Sequence, residues 1–263
     1  MKQERTDTEL IDWIMKKPQY AELPRKDVET VFKQFKRQNY GDEELKKLVR
    51  EKLRMLYSSF SGKKLFLWKG KSSDDILKKH LSTRERYEHY GEIYTRILKK
   101  LPEKISVIDL GAGVNGFSYR YFKKFGFTVD YAGVEAIGQL ADLSKEYFER
   151  EKLKAKSYHG SLFDLELLKE VYKKTKKPRV VFLLKVVDAL EAVERNYSLK
   201  LISYLFEECD VDRIIISFAT ASMFRKKKFY INRNWLTDFL QEKYQIIDDF
   251  ELGYERYYVV DRS

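Results

Sequence analysis

The chain has 263 residues, of which 43% are hydrophobic and 35% charged, and its formal net charge is +11 at pH 7. This composition allows a sizeable core and argues against disorder, and the single cysteine, Cys209, excludes an intramolecular disulfide and a cysteine-based metal site. Residues 1–100 carry 25 Lys and Arg against 16 Asp and Glu, so most of the positive charge lies there. A concentrated basic excess indicates a polyanionic partner, because phosphate contacts release counterions. A solvated basic surface without a partner is the alternative.

The sequence carries no sign of a membrane or metal partner. No stretch approaches the roughly 18–20 apolar residues that a membrane-spanning helix needs, and residues 1–10 lack an apolar signal core. The three histidines, His80, His89 and His159, are not spaced as metal ligands. We therefore expect a cytoplasmic protein that binds no metal, and we expect a monomer.

Hydrophobic spacing predicts helices through the first hundred residues. Breaks are expected at residues 39–42 and 58–62, where Gly, Asn and Ser interrupt the apolar stripe. The predicted helical segments are 9–16, one opening at Pro24, 42–57, 73–79 and 83–100.

After Pro102 the pattern changes to alternating strands and helices, which implies a mostly parallel sheet with helices on both faces. Strands are predicted at 105–110, 129–134, 155–158, 179–185 and 213–218, with a closing pair at 244–252 and 254–260. Helices are predicted at 116–125, 139–152, 165–174, 197–207 and 235–242. A closing antiparallel pair is typical of the seven-stranded methyltransferase sheet. We predict an all-helical N-terminal domain, residues 1–104, followed by a Rossmann-like class I methyltransferase domain of the α/β class, residues 105–263.

A glycine-containing turn follows the first predicted strand. The segment Asp109 to Gly113 reads Asp-Leu-Gly-Ala-Gly, and its glycines permit a tight turn and close approach of a ligand to the backbone. The third glycine of a dinucleotide fingerprint and the Gly-Lys-Ser/Thr of a P-loop are both missing. An Asp-x-Gly-x-Gly turn is typical of class I methyltransferases, so S-adenosyl-L-methionine is the predicted cofactor. Asp109 is expected to anchor the turn and the cofactor's amino group.

Acidic residues follow the next two strands. Glu135 ends the second strand, where a carboxylate suits hydrogen bonds to both ribose hydroxyls. Asp164 follows the third strand and is predicted to accept a hydrogen bond from the adenine amino group, with Leu162 or Phe163 against the ring. The alternative is that Asp164 only caps the next helix. The cofactor site predicted from these segments comprises Asp109, Gly111, Ala112, Gly113, Glu135, Leu162, Phe163 and Asp164.

The chain lacks the motifs of several common chemistries. It contains neither Gly-x-Ser-x-Gly nor an Asn/Asp-Pro-Pro-Tyr/Phe tetrapeptide, and Cys209 lies in a predicted helix near Phe206, which favours a core position. Methyl transfer to a ring nitrogen with a free lone pair, such as guanine N7, needs an aligned acceptor and no general base.

Basic residues follow two of the predicted strands. The loop 224–230 has four basic residues flanked by aromatics, and can combine phosphate contact with base stacking. A solvated loop is the alternative. Lys185 ends an apolar strand, where a lysine is costly without a role or a route to solvent.

Motifs along nearly the full length resemble the aminoglycoside-resistance 16S ribosomal RNA guanine-N7 methyltransferases. The segment His80 to Arg86 is similar to that family's His-x-Ser-Thr-x-Glu-Arg signature, Asp109 to Asn115 to its cofactor loop, and Ser217 to Ser222 to its Ser-Phe-Pro-Thr-x-Ser stretch. The resemblance implies that Arg86 binds the cofactor carboxylate and that the helical domain docks on the small ribosomal subunit. It also implies that the target nucleotide is held by Lys185, Ser217, Arg225 and Lys227.

The sequence departs from that family in the target loop. Ala219 replaces the family's proline, Met223 and Phe224 replace two glycines, and Lys226 and Lys228 replace the glycines around the lysine. Another base, such as adenine N1 in ribosomal or transfer RNA, therefore stays open as the target. A binding-only adaptor and a small-molecule methyltransferase are further alternatives, and a housekeeping role is as compatible with the residues as drug resistance.

Overall fold

The computed structural model describes residues 6–57, 68–220 and 233–262. The predicted loop 224–230, with Arg225 and Lys227, and the predicted break at 58–62 lie outside the described residues.

Four helices lie within residues 6–57. The first is capped by Thr6, whose hydroxyl accepts from the backbone N–H of Glu9 while the Glu9 carboxylate accepts from the backbone N–H of Thr6. The break before the fourth helix contains Asn39 at φ +54°. The helices are α1 (Asp7–Met15), α2 (Pro18–Ala21), α3 (Arg25–Lys36) and α4 (Asp42–Tyr57).

A second helical group follows, and here the predicted helix over 83–100 is wrong. The chain forms α5 (Ser73–Lys79) and α6 (Leu81–Arg86), a 3₁₀ turn (Tyr87–His89), and then α7 (Tyr90–Ile97). The turn lies between two buried side chains: Arg86, which pairs with Glu255, and Tyr90, whose hydroxyl donates to Asn115.

The remaining elements form a seven-stranded sheet in the order β3-β2-β1-β4-β5-β7-β6. All neighbours are parallel except β7, which runs antiparallel to both β5 and β6. The strands are β1 (Lys104–Leu110), β2 (Thr128–Glu135), β3 (Ala155–His159), β4 (Arg179–Leu184), β5 (Arg213–Ala219), β6 (Gln245–Leu252) and β7 (Glu255–Asp261). The helices are α8 (Arg120–Lys124), α9 (Gly138–Arg150), α10 (Leu165–Lys173), α11 (Val187–Val193), α12 (Tyr197–Glu207) and α13 (Asn234–Lys243), with a 3₁₀ turn at Asn115–Ser118. The predicted Rossmann-like class I methyltransferase sheet is confirmed.

The sheet buries both of its faces, because alternate residues of each central strand enter different hydrophobic clusters. In β4, Val181 and Leu183 face the cluster that contains α1 to α4 and α10 to α13, whereas Val180 and Phe182 face the cluster of α5 and α7 to α9. The N-terminal helices therefore share their core with the sheet. Hydrophobic contacts cross the predicted boundary at residue 104, which itself stays a prediction.

Within 6–57, 68–220 and 233–262, no helix is long and apolar enough to cross a bilayer. Over the same ranges, no group of three His, Cys, Asp or Glu side chains is arranged to hold a metal ion.

Candidate functional site

The carboxyl ends of β1, β2, β4 and β5 border a cavity of about 410 Å³, a volume in the roughly 300–1,000 Å³ range of small-molecule and cofactor sites. The lining contains most of the residues predicted from the sequence to bind the cofactor or the target: Arg86, Asp109, Gly111, Ala112, Gly113, Glu135, Leu162, Phe163 and Lys185.

The glycine turn after β1 forms one wall. Gly111 has φ +73° and Gly113 φ +52°, and the N–H groups of Gly111 and Ala112 both donate to the Val134 carbonyl, at 2.9 and 3.1 Å. A Cβ atom on Gly111 would lie 2.8 Å from Cγ2 of Val186. Both the conformation and the space at this position require glycine.

Asp109 anchors this turn through two side-chain hydrogen bonds. Its Oδ2 accepts hydrogen bonds from Asn115 Nδ2 and from the Tyr131 hydroxyl, each at 2.7 Å. Burial raises the pKa of Asp109 to about 6, and these two hydrogen bonds oppose the rise. The carboxylate thus ties the turn to β2 while it also lines the cavity.

Glu135 ends β2 and holds the opposite side of the turn. Its Oε2 accepts from the Gly113 N–H at 2.7 Å and its Oε1 from the Ile137 N–H at 2.8 Å. Burial raises the pKa of Glu135, and the two backbone hydrogen bonds oppose that rise. A carboxylate oxygen has two acceptor sites, so Glu135 keeps capacity for two hydroxyl donors from the cavity.

The loop after β3 brings Leu162 and Phe163 to the cavity but not Asp164. The Tyr197 hydroxyl donates to the Leu162 carbonyl at 2.7 Å, and its ring lies 4.5 Å from that of Phe163 between centroids. Asp164 lies outside the lining, because its carboxylate accepts from the Leu167 N–H at 3.1 Å and caps α10. This differs from the predicted position at an adenine amino group and matches the capping alternative.

A buried ion cluster closes the other end of the cavity. Both carboxylate oxygens of Glu255 lie 3.0 Å from Nε of Arg86, and the two side chains are 2% and 3% exposed. Lys185 Nζ pairs with Glu85 and lies 3.2 Å from Glu255. The Ser217 hydroxyl donates to Glu255 from beneath. Two cations thus face two anions, so the cluster carries no net charge.

One guanidinium nitrogen of Arg86 is available to a ligand in the cavity. Its Nη2 is buried and has no hydrogen-bond partner among the described residues, although Arg86 lines the cavity. Glu255 raises the pKa of Arg86 despite the opposing effect of burial. A charged donor without a partner is costly, and an anionic group in the cavity would satisfy it.

Lys185 and Ser217 occupy different depths. Lys185 follows β4 with φ +60°, and its N–H donates to the Ser217 carbonyl at 2.9 Å. Lys185 reaches the cavity, whereas Ser217 is fully buried behind it and lies outside the lining. Nearby, burial and then the charges of Arg86 and Lys185 lower the pKa of His80 to about 4, so this imidazole is neutral at pH 7.

The lining and supporting side chains missed from the sequence include Asp27, Tyr57, Glu85 and Glu255. Asp27 and Tyr57 come from α3 and α4, where an acid in a first helical turn reads as an ordinary surface residue. Glu85 lies inside the signature that contains Arg86, and that signature was the available signal for it. Glu255 opens β7, 169 positions from its partner Arg86, so no local spacing could reveal the pair.

Several solved rRNA methylases have a similar fold. No protein-family model and no curated protein matches the sequence. The 16S rRNA methyltransferase RmtF, crystallised with S-adenosyl-L-homocysteine, superposes with a TM-score of 0.74 at 18% identity, covering 97% of this chain and 98% of its own. An rRNA methylase from Escherichia coli gives 0.74 at 16% identity and covers 97% and 99%. The 16S rRNA methylase RmtB gives 0.71 at 16% identity and covers 97% and 98%. The fold of these rRNA methylases, including their N-terminal part, is therefore the fold of this chain.

Proposed function

We propose that this protein is an S-adenosyl-L-methionine-dependent methyltransferase that acts on small-subunit ribosomal RNA, with guanine N7 as the acceptor. The observation that carries the proposal is the cavity at the carboxyl edge of the sheet. There a glycine turn, a carboxylate with spare acceptor capacity and the Nη2 of Arg86, which no described residue accepts from, converge.

The residues present fit the cofactor. Arg86 would hold the carboxylate of its methionine part, and Asp109 its amino group. Glu135 would accept from the ribose hydroxyls, and Leu162 and Phe163 would cover the adenine ring. When bound, the cofactor supplies an electrophilic methyl group, and the chain's own residues orient its two ends and exclude water from an apolar lining.

The ion cluster suits a purine acceptor. Guanine N7 attacks with a free lone pair, so no side chain has to remove a proton, but the purine becomes positively charged as the methyl group arrives. A free lysine there would oppose that charge. Glu85 and Glu255 neutralise Lys185 and Arg86, so the cavity presents the purine with a balanced charge. Lys185 would position the target nucleotide, together with Arg225 and Lys227 of the loop after β5.

The basic N-terminal region, residues 1–104, would dock on ribosomal RNA, and residues 105–263 would carry the transfer. Deleting this region would expose the hydrophobic face of the sheet that its helices cover. Charge reversal in the full chain therefore tests RNA docking more directly. Lys47 and Arg54 are exposed on α4, and Lys47→Glu with Arg54→Glu is expected to lower the slope of log affinity against log salt by about 2. The matched control reverses two exposed lysines of α10, Lys169 and Lys173, and is expected to leave both the slope and cofactor binding unchanged.

The reaction is tested by transfer of labelled methyl from S-adenosyl-L-methionine to intact small subunits, naked ribosomal RNA and transfer RNA, followed by nucleoside mass spectrometry. Labelled 7-methylguanosine from small subunits is the expected result. The variant Glu135→Ala is the control, and it is expected to transfer less label because its cofactor site is impaired. Label in 1-methyladenosine would move the acceptor to adenine. Label in none of the three RNAs would overturn the proposal, leaving a small-molecule substrate or, without cofactor binding by calorimetry, a binding-only adaptor.

A further inference from the structure

Asp27 reaches the cavity from outside the sheet. It lies in the first turn of α3, where its neighbour Val28 packs into the hydrophobic cluster, and its own side chain is almost fully buried at 3% exposure. It lines the cavity together with Tyr57 from the end of α4. A carboxylate removed from water in this way destabilises the fold unless it gains partners.

One of its two oxygens has such a partner. The Tyr57 hydroxyl donates to Oδ1 at 2.5 Å, whereas Oδ2 is buried with no hydrogen-bond partner among the described residues. Burial raises the pKa of Asp27 to about 6, opposed by the hydroxyls of Tyr57 and Ser161 and by its own backbone N–H. Above that pH Asp27 is a carboxylate whose Oδ2 has no donor within hydrogen-bond distance among the described residues.

The surroundings place Asp27 at the loop after β3. The Ser161 hydroxyl and the charge of His159 both lower the pKa of Asp27, and the charge of Asp27 raises the pKa of Glu135. Ser161 directly precedes Leu162 and Phe163, the apolar pair that lines this part of the cavity. The acid of the loop itself, Asp164, is turned away to cap α10, so it leaves the acceptor position open.

We propose that Asp27 accepts a hydrogen bond from the exocyclic amino group of the cofactor's adenine through Oδ2, so that an N-terminal helix, and not the loop after β3, selects the base. This inference rests on the proposed function, because it takes the ligand to be S-adenosyl-L-methionine. In a purine with a carbonyl oxygen at position 6, such as hypoxanthine, the carboxylate would face an acceptor where adenine presents an amino donor. The buried oxygen would then lack a donor and face a like partial charge.

The test compares two ligands that differ at this position. Calorimetry measures the affinities of S-adenosyl-L-homocysteine and S-inosyl-L-homocysteine for the full chain. The native protein is expected to prefer the adenine ligand by about 10- to 100-fold, the range for one hydrogen bond to a charged group. Asp27→Asn keeps the side-chain size but adds an amide donor, so the preference is expected to fall close to 1 or to reverse. Asp164→Asn is the matched control and is expected to keep the native preference.

The outcomes separate this inference from the function beneath it. If the native chain binds neither ligand, the proposed function fails and the inference fails with it. If it binds S-adenosyl-L-homocysteine but does not discriminate, the function stands and the role of Asp27 is refuted; this comparison needs no variant to fold. A native preference that persists in Asp27→Asn, or that disappears in Asp164→Asn, also overturns the assignment.

Discussion

Replacing Glu255 by Gln tests whether the buried ion cluster holds Arg86 in place. The substitution keeps the volume of the side chain but removes its charge, and its new amide group faces Arg86 and Lys185. Breaking a buried ion pair by removing one partner costs about 3–5 kcal/mol. Because Gln retains one acceptor for Arg86 Nε, we expect the lower end, about 3 kcal/mol. For a chain of this size that corresponds to a fall in melting temperature of roughly 6–12 °C.

An exposed ion pair on the same hairpin provides the control. Arg256 and Asp249 are 44% and 36% exposed and lie 2.7 Å apart, and exposed pairs contribute about 0–1 kcal/mol. Asp249→Asn should therefore change the melting temperature by roughly 4 °C or less. Thermal unfolding followed by circular dichroism measures both variants. If Glu255→Gln melts no lower than Asp249→Asn, the cluster does not fix Arg86. If it does melt lower, calorimetry should also find weaker binding of S-adenosyl-L-homocysteine.

Three further outcomes are expected. Glu135→Ala should weaken S-adenosyl-L-homocysteine binding by about 10-fold or more, because two hydroxyl acceptors are lost, while RNA binding measured by filter retention stays near native; equal cofactor affinity would contradict its ribose role. Arg225→Ala with Lys227→Ala should do the reverse, and unchanged turnover would refute the target-loop assignment. Asp27 and Asp109 each have a pKa raised from 3.8 to about 6, so the folded state binds more protons than the unfolded state between these values and their contribution lowers stability as pH rises from about 4 to about 6. Asp27→Asn should remove part of that loss in urea titrations, and an unchanged pH profile would show that Asp27 is ionised without penalty.

The central strands could be predicted from the sequence because they are buried on both faces. The run from Val180 to Leu184 is continuously apolar, and such a run between helical patterns predicts a central parallel strand. Helix α11 was missed for a related reason: Val186 and Val187 resume the apolar pattern directly after Lys185, and no glycine or proline marks the place where the chain turns. The positive φ of Lys185 makes that turn, and a lysine is not the residue from which sequence reasoning expects it.

The site could be predicted where local geometry determines its chemistry. A glycine turn and the acid at the end of β2 are brought together by adjacent strands, so their proximity follows from the topology alone. The places of Glu255 and Asp27 in the site could not be predicted in this way. Glu255 meets Arg86 across the closing hairpin, and Asp27 enters from a helix that packs on one face of the sheet.

These side chains share a physical property that ties stability to binding. Asp27 Oδ2 and Arg86 Nη2 are buried polar atoms without partners among the described residues, and each lowers the stability of the empty protein. A ligand that offers an amino donor at one end and a carboxylate at the other would satisfy both atoms at once. The free energy regained would appear as affinity, and the folded state would be stabilised as ligand concentration rises above its Kd. A variant such as Asp27→Asn should therefore melt higher than the native chain when empty, and gain less from ligand. Substitutions that remove these buried polar atoms would stabilise the empty protein but reduce the selectivity of the cavity for its ligand.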